Sequence, residues 1–143
     1  MKEWTREERY RTILEASNEE LTELRDIVNS CPYRQKFHIQ PTTGLLNDPN
    51  GFSYYNNEYH LFYQYNPYGT VWGPMHWGHS KSKDMIKWQQ LPVAMAPDSK
   101  YDIDGCFSGS AIEDNNKHIL MYTGVVDKKN ENIRVLRREL ERK

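Results

Sequence analysis

A repeated hairpin pattern constrains the fold of this chain more than any other feature of its sequence. Runs of aromatic and β-branched residues flank an Asn-Asn pair at 56–57, and similar runs flank a second Asn-Asn pair at 115–116. A tight polar pair between two such runs is typical of a β-hairpin. If one residue is deleted, the two copies align so that His118 takes the place of His60. The sequence therefore predicts two related hairpins in a mainly β fold.

Two hairpin units in succession indicate neighbouring blades of a β-propeller, in which each blade is a small sheet of four strands. The segment between the copies, residues 72–92, predicts a loop and two further strands. The alternative is a coincidental likeness between two ordinary hairpins, and the periodicity alone leaves both interpretations open. A chain of 143 residues is long enough for one domain with a buried core.

The two ends of the chain follow other patterns. Residues 1–30 predict two short helices, because Thr5 with Glu8 and Ser17 with Glu20 each form an S/T-x-x-E capping pattern. The second helix carries one apolar face, made by Leu21, Leu24, Ile27 and Val28. We expect this helical leader to pack on a β domain of residues 31–133. Residues 134–143 are rich in charge and without turn residues, which predicts a divergent, solvated helical tail.

Composition restricts the partners. The formal net charge of −1 favours neither nucleic acid nor an anionic membrane surface. The chain has no apolar run typical of a signal peptide or membrane span, so we expect a cytoplasmic protein in which Cys31 and Cys106 are reduced. Aromatic residues make up 13% of the chain, with ten Tyr and four Trp, and such side chains can stack on sugar rings.

The stretch Gly44–Tyr55 contains N-D-P-N-G, a sequence typical of a type I turn. A structural role is the usual one for such a turn. Its neighbours suggest more, because Leu45 and Leu46 would anchor the preceding strand and Asn47 adds an amide beside the carboxylate of Asp48. A carboxylate held rigidly at the end of a strand is suited to act as a nucleophile. From these residues alone, both roles remain open.

Four motifs in order resemble the signatures of glycoside hydrolase family 32, the β-fructofuranosidases. They are L-L-N-D-P-N-G-F, H-L-F-Y-Q-Y-N-P, W-G-P-M-H-W-G-H-S-K-S-K-D-M-I-K-W and F-S-G-S-A. The leader sequence C-P-Y-R-Q-K-F-H-I-Q-P is similar to that of bacterial sucrose-6-phosphate hydrolases and their invertase relatives. The resemblance implies a five-bladed β-propeller, of which this chain would form about the first two blades. It also implies retaining hydrolysis of terminal β-fructofuranosides, with sucrose or sucrose 6-phosphate as the substrate.

The resemblance assigns roles to individual residues. Asp48 is implied to attack the anomeric carbon of fructose. The implied substrate-binding residues are Leu45, Leu46, Asn47, Gln64, Trp72, Phe107 and Ser108. Core packing is the alternative for each of them. His76 and His79 form an H-x-x-H pair, which is weak evidence for a metal site without further ligands, and we expect no metal or cofactor.

The second half of the expected chemistry is missing from the sequence. Retaining glycosidases use two carboxylates roughly 5 Å apart. The resemblance implies an acid/base Glu in a Glu-Cys motif and a stabilising Asp in an Arg-Asp-Pro motif, and neither motif is present; Arg25-Asp26 is followed by Ile27. Two blades also cannot close a ring. We therefore expect this chain alone to be nearly or wholly inactive.

Three functional interpretations follow. The first is an enzyme by lineage, completed by the remaining catalytic-domain segment or by self-association. The second is a catalytically inactive remnant or sugar-binding fragment of such an enzyme. The third, a five-bladed furanosidase of the arabinan-degrading type, is disfavoured by F-Y-Q-Y-N-P and W-G-P-M-H-W-G-H.

Overall fold

The computed structural model describes residues 5–126 and 132–140. Within them, a helical leader precedes two antiparallel sheets, one of four strands in the order β1-β2-β3-β4 and one of three in the order β5-β6-β7. The leader comprises α1 Arg6–Arg9, a 3-10 turn Ile13–Glu15 and α2 Asn18–Asn29. The strands are β1 Leu45–Tyr55, β2 Glu58–Asn66, β3 His76–Ser82, β4 Gln89–Met95, β5 Gly105–Asp114, β6 Lys117–Val126 and β7 Asn132–Leu140. The mainly β prediction is confirmed.

Both predicted hairpins form. Asn56 and Asn57 join β1 to β2 with φ values of 52° and 61°, and Asn115 and Asn116 join β5 to β6 with 50° and 60°. Positive φ at both central residues defines the type I′ turn, whose twist matches that of the flanking strands. Asn tolerates this left-handed region better than most residues, which explains why an Asn-Asn pair marks each turn. The two further strands predicted between the hairpins are β3 and β4.

The register corrects the alignment of the two hairpins. His60 is the third residue after its turn and pairs with Ser53, whereas His118 is the second after its turn and pairs with Glu113. The two histidines are therefore not equivalent, and the repeat needs no deleted residue. Because side chains alternate along a strand, a shift of one residue reverses the face. His60 faces the second sheet and His118 faces the first, and their rings meet at 4.9 Å between centroids.

The two sheets pack face to face around a common core, with β1 lying beside β5. The core cluster consists of Phe62, Trp77, Met95, Cys106, Leu120 and Tyr122. Burying one large apolar side chain stabilises a fold by about 1.5–3 kcal/mol, so this cluster is the main cohesive contact between the sheets. The backbone also bridges them, because the Cys106 N–H donates to the Met75 carbonyl at 2.8 Å.

The leader is attached by a few polar contacts. The Tyr68 hydroxyl donates to the Thr12 carbonyl at 2.7 Å, and the Ile13 N–H donates to His76 Nε2 at 3.0 Å. The capping box of α1 is complete, whereas at α2 the Ser17 hydroxyl accepts from the Glu20 N–H and the Glu20 carboxylate pairs with Arg11. No residue of α2 is buried, so its predicted apolar face is only partly covered. No helix among the described residues has the length and apolarity to cross a membrane.

The prediction of a helical tail is wrong for residues 134–140, while residues 141–143 lie outside the described residues. Residues 132–140 form β7, which pairs with β6 from Val126↔Asn132 to His118↔Leu140. Two charged side chains of this segment are paired, Arg138 with Asp98 at 2.6 Å and Glu139 with Lys117 of β6 at 3.0 Å. The open edge of β6 supplies backbone hydrogen bonds to the segment, and this tertiary pairing overrides its charge pattern.

Candidate active site

Asp48 lies inside a bulged strand. The β1–β2 ladder shifts register between Asn47 and Pro49 and again between Asn50 and Ser53, and both Asp48 (φ 37°) and Gly51 (φ 56°) adopt left-handed backbone conformations. The predicted type I turn is therefore wrong. The same residues suit a bulge, because Pro within a strand is confined to edges and bulges and Gly reaches positive φ without strain. Bulges bend a strand and redirect its side chains, often next to active sites.

The bulge presents Asp48 to solvent. Asp48 is exposed, and the Nδ2 of Asn50 donates to the Asp48 carbonyl at 3.0 Å. This bond holds the backbone of a residue whose conformation is uncommon for any residue but Gly. Asn50 thus belongs to the candidate site but was not predicted from the sequence, although its place in N-D-P-N-G was a signal.

Two amides lie directly beside Asp48. Asn47 is opposite Gln64 in the β1–β2 ladder, and Gln64 is opposite Trp77 in the β2–β3 ladder, so all three occupy one row across the sheet. The Gln64 side chain is 1% exposed, and its Nε2 donates to the Cys106 carbonyl at 3.0 Å. Trp77 Nε1 donates to the Phe107 carbonyl at 3.1 Å. The first sheet thus fixes the start of β5.

Trp72 and Phe107 form an aromatic corner at the end of this row. Their rings meet edge to face at 5.5 Å and 87°. Trp72 is 51% exposed, while Phe107 and the following Ser108 are half-buried. Such a corner offers apolar surface together with polar edges, as sugar-binding sites do.

Several amide oxygens of the site have no hydrogen-bond partner within the described structure. These buried atoms are Asn47 Oδ1, Asn50 Oδ1 and Gln64 Oε1. A buried acceptor left unsatisfied costs about 1–3 kcal/mol. Three in one place favour a polyhydroxylated ligand or ordered water as the missing donor.

The structure therefore brings together most of the residues predicted for the site. Asn47, Asp48 and Gln64 share one strand pair, and the bonds from Gln64 and Trp77 place Phe107 beside them. Leu45 and Leu46 are half-buried upstream in β1, opposite Asn66 and Tyr65. Trp77 was also missed, because its role rests on a contact with a strand distant in sequence.

The H-x-x-H pair does not form one site. His76 Nε2 accepts from the leader at Ile13, whereas His79 Nε2 contacts His60 Nδ1 at 2.8 Å. An offset of three residues along a strand places the two side chains on opposite faces. Across residues 5–126 and 132–140, no group of three or more His, Cys, Asp or Glu side chains is arranged to hold a metal ion.

Fold and site together define a mainly β protein of two packed antiparallel sheets, with a carboxylate and amides at their junction. The N-terminal domain of the glycosyl hydrolases family 32 matches residues 38–139. This chain belongs to that family.

Similar proteins agree with the assignment. A sucrose-6-phosphate hydrolase of Zymomonas mobilis is 52% identical over 101 residues, which are 71% of this chain and 20% of that protein. One from Lactococcus lactis is 46% identical over 121 residues, covering 85% of this chain and 26% of that protein. Our chain thus spans about a fifth to a quarter of the length of these relatives.

Solved structures of related enzymes have the same fold over the region that this chain covers. The sucrose-6-phosphate hydrolase of Lactobacillus gasseri superposes with a TM-score of 0.84 at 46% identity, over 94% of this chain and 28% of that one. The Bombyx mori β-fructofuranosidase gives 0.68 at 41% identity, over 85% and 27%. These neighbours are β-propeller enzymes, and the chain corresponds to their N-terminal part. The two sheets are accordingly successive blades of a propeller.

Proposed function

We propose that this chain supplies the nucleophile-bearing part of a retaining β-fructofuranosidase site that acts on sucrose or sucrose 6-phosphate. The observation that supports it best is the set of unpaired amide oxygens beside the exposed carboxylate of Asp48. Fructose hydroxyls are the donors that such oxygens lack. Relatives named as sucrose-6-phosphate hydrolases, and a Bombyx mori enzyme whose structure holds sucrose, support the choice of substrate.

In the proposed reaction, a carboxylate oxygen of Asp48 forms a bond to the anomeric carbon of the fructosyl unit as the glycosidic bond breaks. The departing oxygen takes a proton from a general acid, and water later releases fructose from Asp48. Asn47 and Gln64 hold the sugar hydroxyls, and the Trp72–Phe107 corner shields the ring from water. Rigid placement by the β1 bulge keeps the nucleophile near the angle of attack.

The general acid has to come from outside this sequence, which has no Glu-Cys motif. Loss of a general acid typically lowers a rate by about 10²- to 10⁴-fold. We therefore propose that the isolated chain binds fructosides weakly and does not turn them over. The remaining catalytic-domain segment, or a second copy of the chain, would supply the acid.

A sugar-binding fragment without catalysis is the second candidate. The absence of both second-carboxylate motifs favours it. The two candidates make different predictions. If the chain is only a sugar-binding fragment, adding the remaining catalytic-domain segment would not restore hydrolysis that depends on Asp48.

The test is release of glucose and fructose from sucrose and sucrose 6-phosphate by the 143-residue chain, beside Asp48→Asn and with circular dichroism as a check on folding. We expect no turnover from a folded wild-type chain. We also expect the chain to bind fructose, with an affinity that Asn47→Ala lowers and Glu113→Gln leaves unchanged. Turnover abolished by Asp48→Asn would mean that the chain assembles a working site by itself. Binding is followed by the NMR signals of the backbone amides in β1. If the chain is folded and fructose does not shift these signals, the proposal is contradicted.

A further inference from the structure

Three buried histidines meet where the two sheets pack, away from the candidate active site. They are His60 of β2, His79 of β3 and His118 of β6, and we call them the histidine cluster. Their exposed fractions are 7%, 5% and 1%. The His60 ring lies 5.1 Å from that of His79 and 4.9 Å from that of His118, so the cluster spans the joint between the sheets.

Hydrogen bonds fix the proton positions in the first sheet. His60 Nε2 lies 3.2 Å from the Tyr55 carbonyl, which can only accept, so this nitrogen carries a proton. The Nδ1 of a neutral His60 is then an acceptor. It lies 2.8 Å from His79 Nε2, which must donate. His60 and His79 are thus both neutral in this arrangement, and His79 Nε2–H donates to His60 Nδ1.

The same reasoning applies across the joint. The Ser53 hydroxyl donates its hydrogen to the Gly51 carbonyl at 3.1 Å, so it accepts from His118 Nε2–H at 2.9 Å. His118 Nδ1 is then unprotonated, and it is buried with no partner. A second proton on His118 would place an N–H and a positive charge where the described structure offers no acceptor.

Aromatic rings bury the cluster from water, and among the described residues none of its three histidines forms an ion pair. The Phe62 ring stacks on His79 at 4.3 Å, and the Tyr55 ring stacks on His118 at 4.7 Å. Among the charged groups, Glu58 and Lys81 act on His60, and they are already paired with each other at 2.8 Å. Lys81 also acts on His79 and disfavours its protonation. Opposite His118, Glu113 of β5 is exposed and Leu140 of β7 is apolar.

These conditions set the pH window. Burial, reinforced by the neighbouring imidazoles, lowers the pKa of His79 to about 3 and that of His118 to about 4, and burial also lowers the pKa of His60. An unfolded histidine has a pKa of about 6.5. The unfolded chain therefore binds more protons below that pH, and the stability contributed by the neutral cluster is complete above pH 6.5 and is lost as the pH falls towards 4.

We propose that the joint between the two sheets is acid-labile, and that protonation of the histidine cluster separates the sheets. His60 and His79 belong to the first sheet and His118 to the second, so charges gained on both sides repel across the contact. We expect each sheet to keep its own ladder, because the ladder bonds join backbone groups and not imidazoles. The surface between the sheets, including Cys106, becomes accessible to solvent.

The two cysteines provide the measurement. Cys106 is fully buried in the core between the sheets, whereas Cys31 is exposed and serves as an internal standard. A pyridyl disulfide reagent exchanges with an accessible thiol and releases one pyridinethione per thiol. We expect the labelling rate of Cys106 relative to Cys31 to rise at least about tenfold between pH 7 and pH 4.5, while far-ultraviolet circular dichroism still reports strands. Labelling of Cys106 that is independent of pH, or that begins only with loss of the strand signal, overturns the proposal.

Variants assign the effect to the cluster. His79→Gln and His118→Gln keep an amide N–H in place of the ring Nε2–H and cannot be protonated. The double variant should show its rise in Cys106 labelling at least about one pH unit lower than the wild type. His38→Gln removes an exposed histidine and should leave the onset unchanged. Equal onsets in the wild type and the double variant contradict the proposal.

A measurement on the wild type alone covers the case in which the variants do not fold. Urea unfolding as a function of pH gives the number of protons taken up on unfolding. The three neutral histidines of the cluster, together with the buried His76, whose pKa burial lowers to about 4, predict an uptake of about four protons near pH 5. An uptake of about one proton or less, which His76 alone would account for, shows that the cluster does not hold its histidines neutral.

Discussion

Gly51 illustrates how a single position ties the site to the fold. A Cβ built on Gly51 would lie 2.8 Å from the Phe62 ring and 3.2 Å from Trp77, at a φ of 56°. We expect Gly51→Ala to destabilise the chain by about 1–3 kcal/mol, through overpacking and a left-handed backbone. Urea unfolding measures the change, and Glu113→Ala, at an exposed residue near the end of β5, is the control. An effect no larger than that of the control contradicts this account of the bulge.

At this scale, family motifs rather than residue chemistry predicted the site. Asn47, Asp48 and Gln64 were assigned to the candidate site because their motifs are contiguous in sequence. Asn50 and Trp77 were missed because their roles are hydrogen bonds to backbone carbonyls, one made within a bulge and one made to another strand. Backbone carbonyls leave no residue-specific signal in a sequence.

A buried tyrosine–carboxylate pair secures the connection between the two sheets. Asp102 is fully buried and accepts from the Ser99 N–H and hydroxyl and from the Tyr122 hydroxyl, the last at 2.5 Å. Tyr122→Phe should cost about 1–3 kcal/mol, because it leaves a buried carboxylate short of one donor. Tyr101→Phe, at a partly exposed ring in the same segment, is the comparison. A Tyr122→Phe chain as stable as the wild type at pH 7 would show that the pair is dispensable.

At the scale of elements, turn chemistry was the reliable signal. Both Asn-Asn turns formed where the sequence placed them, because positive φ at two successive residues admits few residue types. The same chemistry misled at N-D-P-N-G, since residues that suit a turn also suit a bulge. Strand β7 was not predicted because it forms by pairing with the edge of β6. The charged sequence of β7 carries no signal for that pairing.

The Asn56–Asn57 turn tests whether tolerance of positive φ explains the Asn-Asn pairs. Asn57 has φ 61° and is exposed. Asn57→Gly should retain or raise stability, whereas Asn57→Val should lower it by about 1–2 kcal/mol, because a β-branched residue is strained in the left-handed region. Thermal unfolding of both variants decides the matter. Equal stability of the two would mean that the turn relaxes to another type.

The whole molecule presents two sheet faces that the described structure leaves uncovered. Phe52 and Tyr54 are 56% and 54% exposed on the outer face of the first sheet, and Ile112 and Met121 are 59% and 45% exposed on the second. Apolar patches of this kind mark interaction surfaces. A second copy of the chain could pack the outer face of its first sheet on the outer face of the second sheet of the first copy, in the way that the two sheets pack within one chain. Such a head-to-tail contact can continue from copy to copy.

We therefore expect the purified chain to associate as its concentration rises. Phe52→Ser together with Ile112→Ser should shift it towards the monomer, because both contacting faces lose apolar area. Sedimentation velocity measures the distribution, with Glu113→Gln as the control. A wild-type chain that stays monomeric at high micromolar concentration contradicts the expectation.

Whether Asp48 is the nucleophile is tested by completing the propeller around it. Residues 38–139 would replace the matching segment of the Lactobacillus gasseri sucrose-6-phosphate hydrolase, which is 46% identical to this chain. We expect the chimera to hydrolyse sucrose 6-phosphate, with a kcat that Asp48→Asn lowers at least about 10³-fold and Glu113→Gln leaves unchanged. A folded chimera that turns over equally well with Asp48→Asn would contradict this expectation.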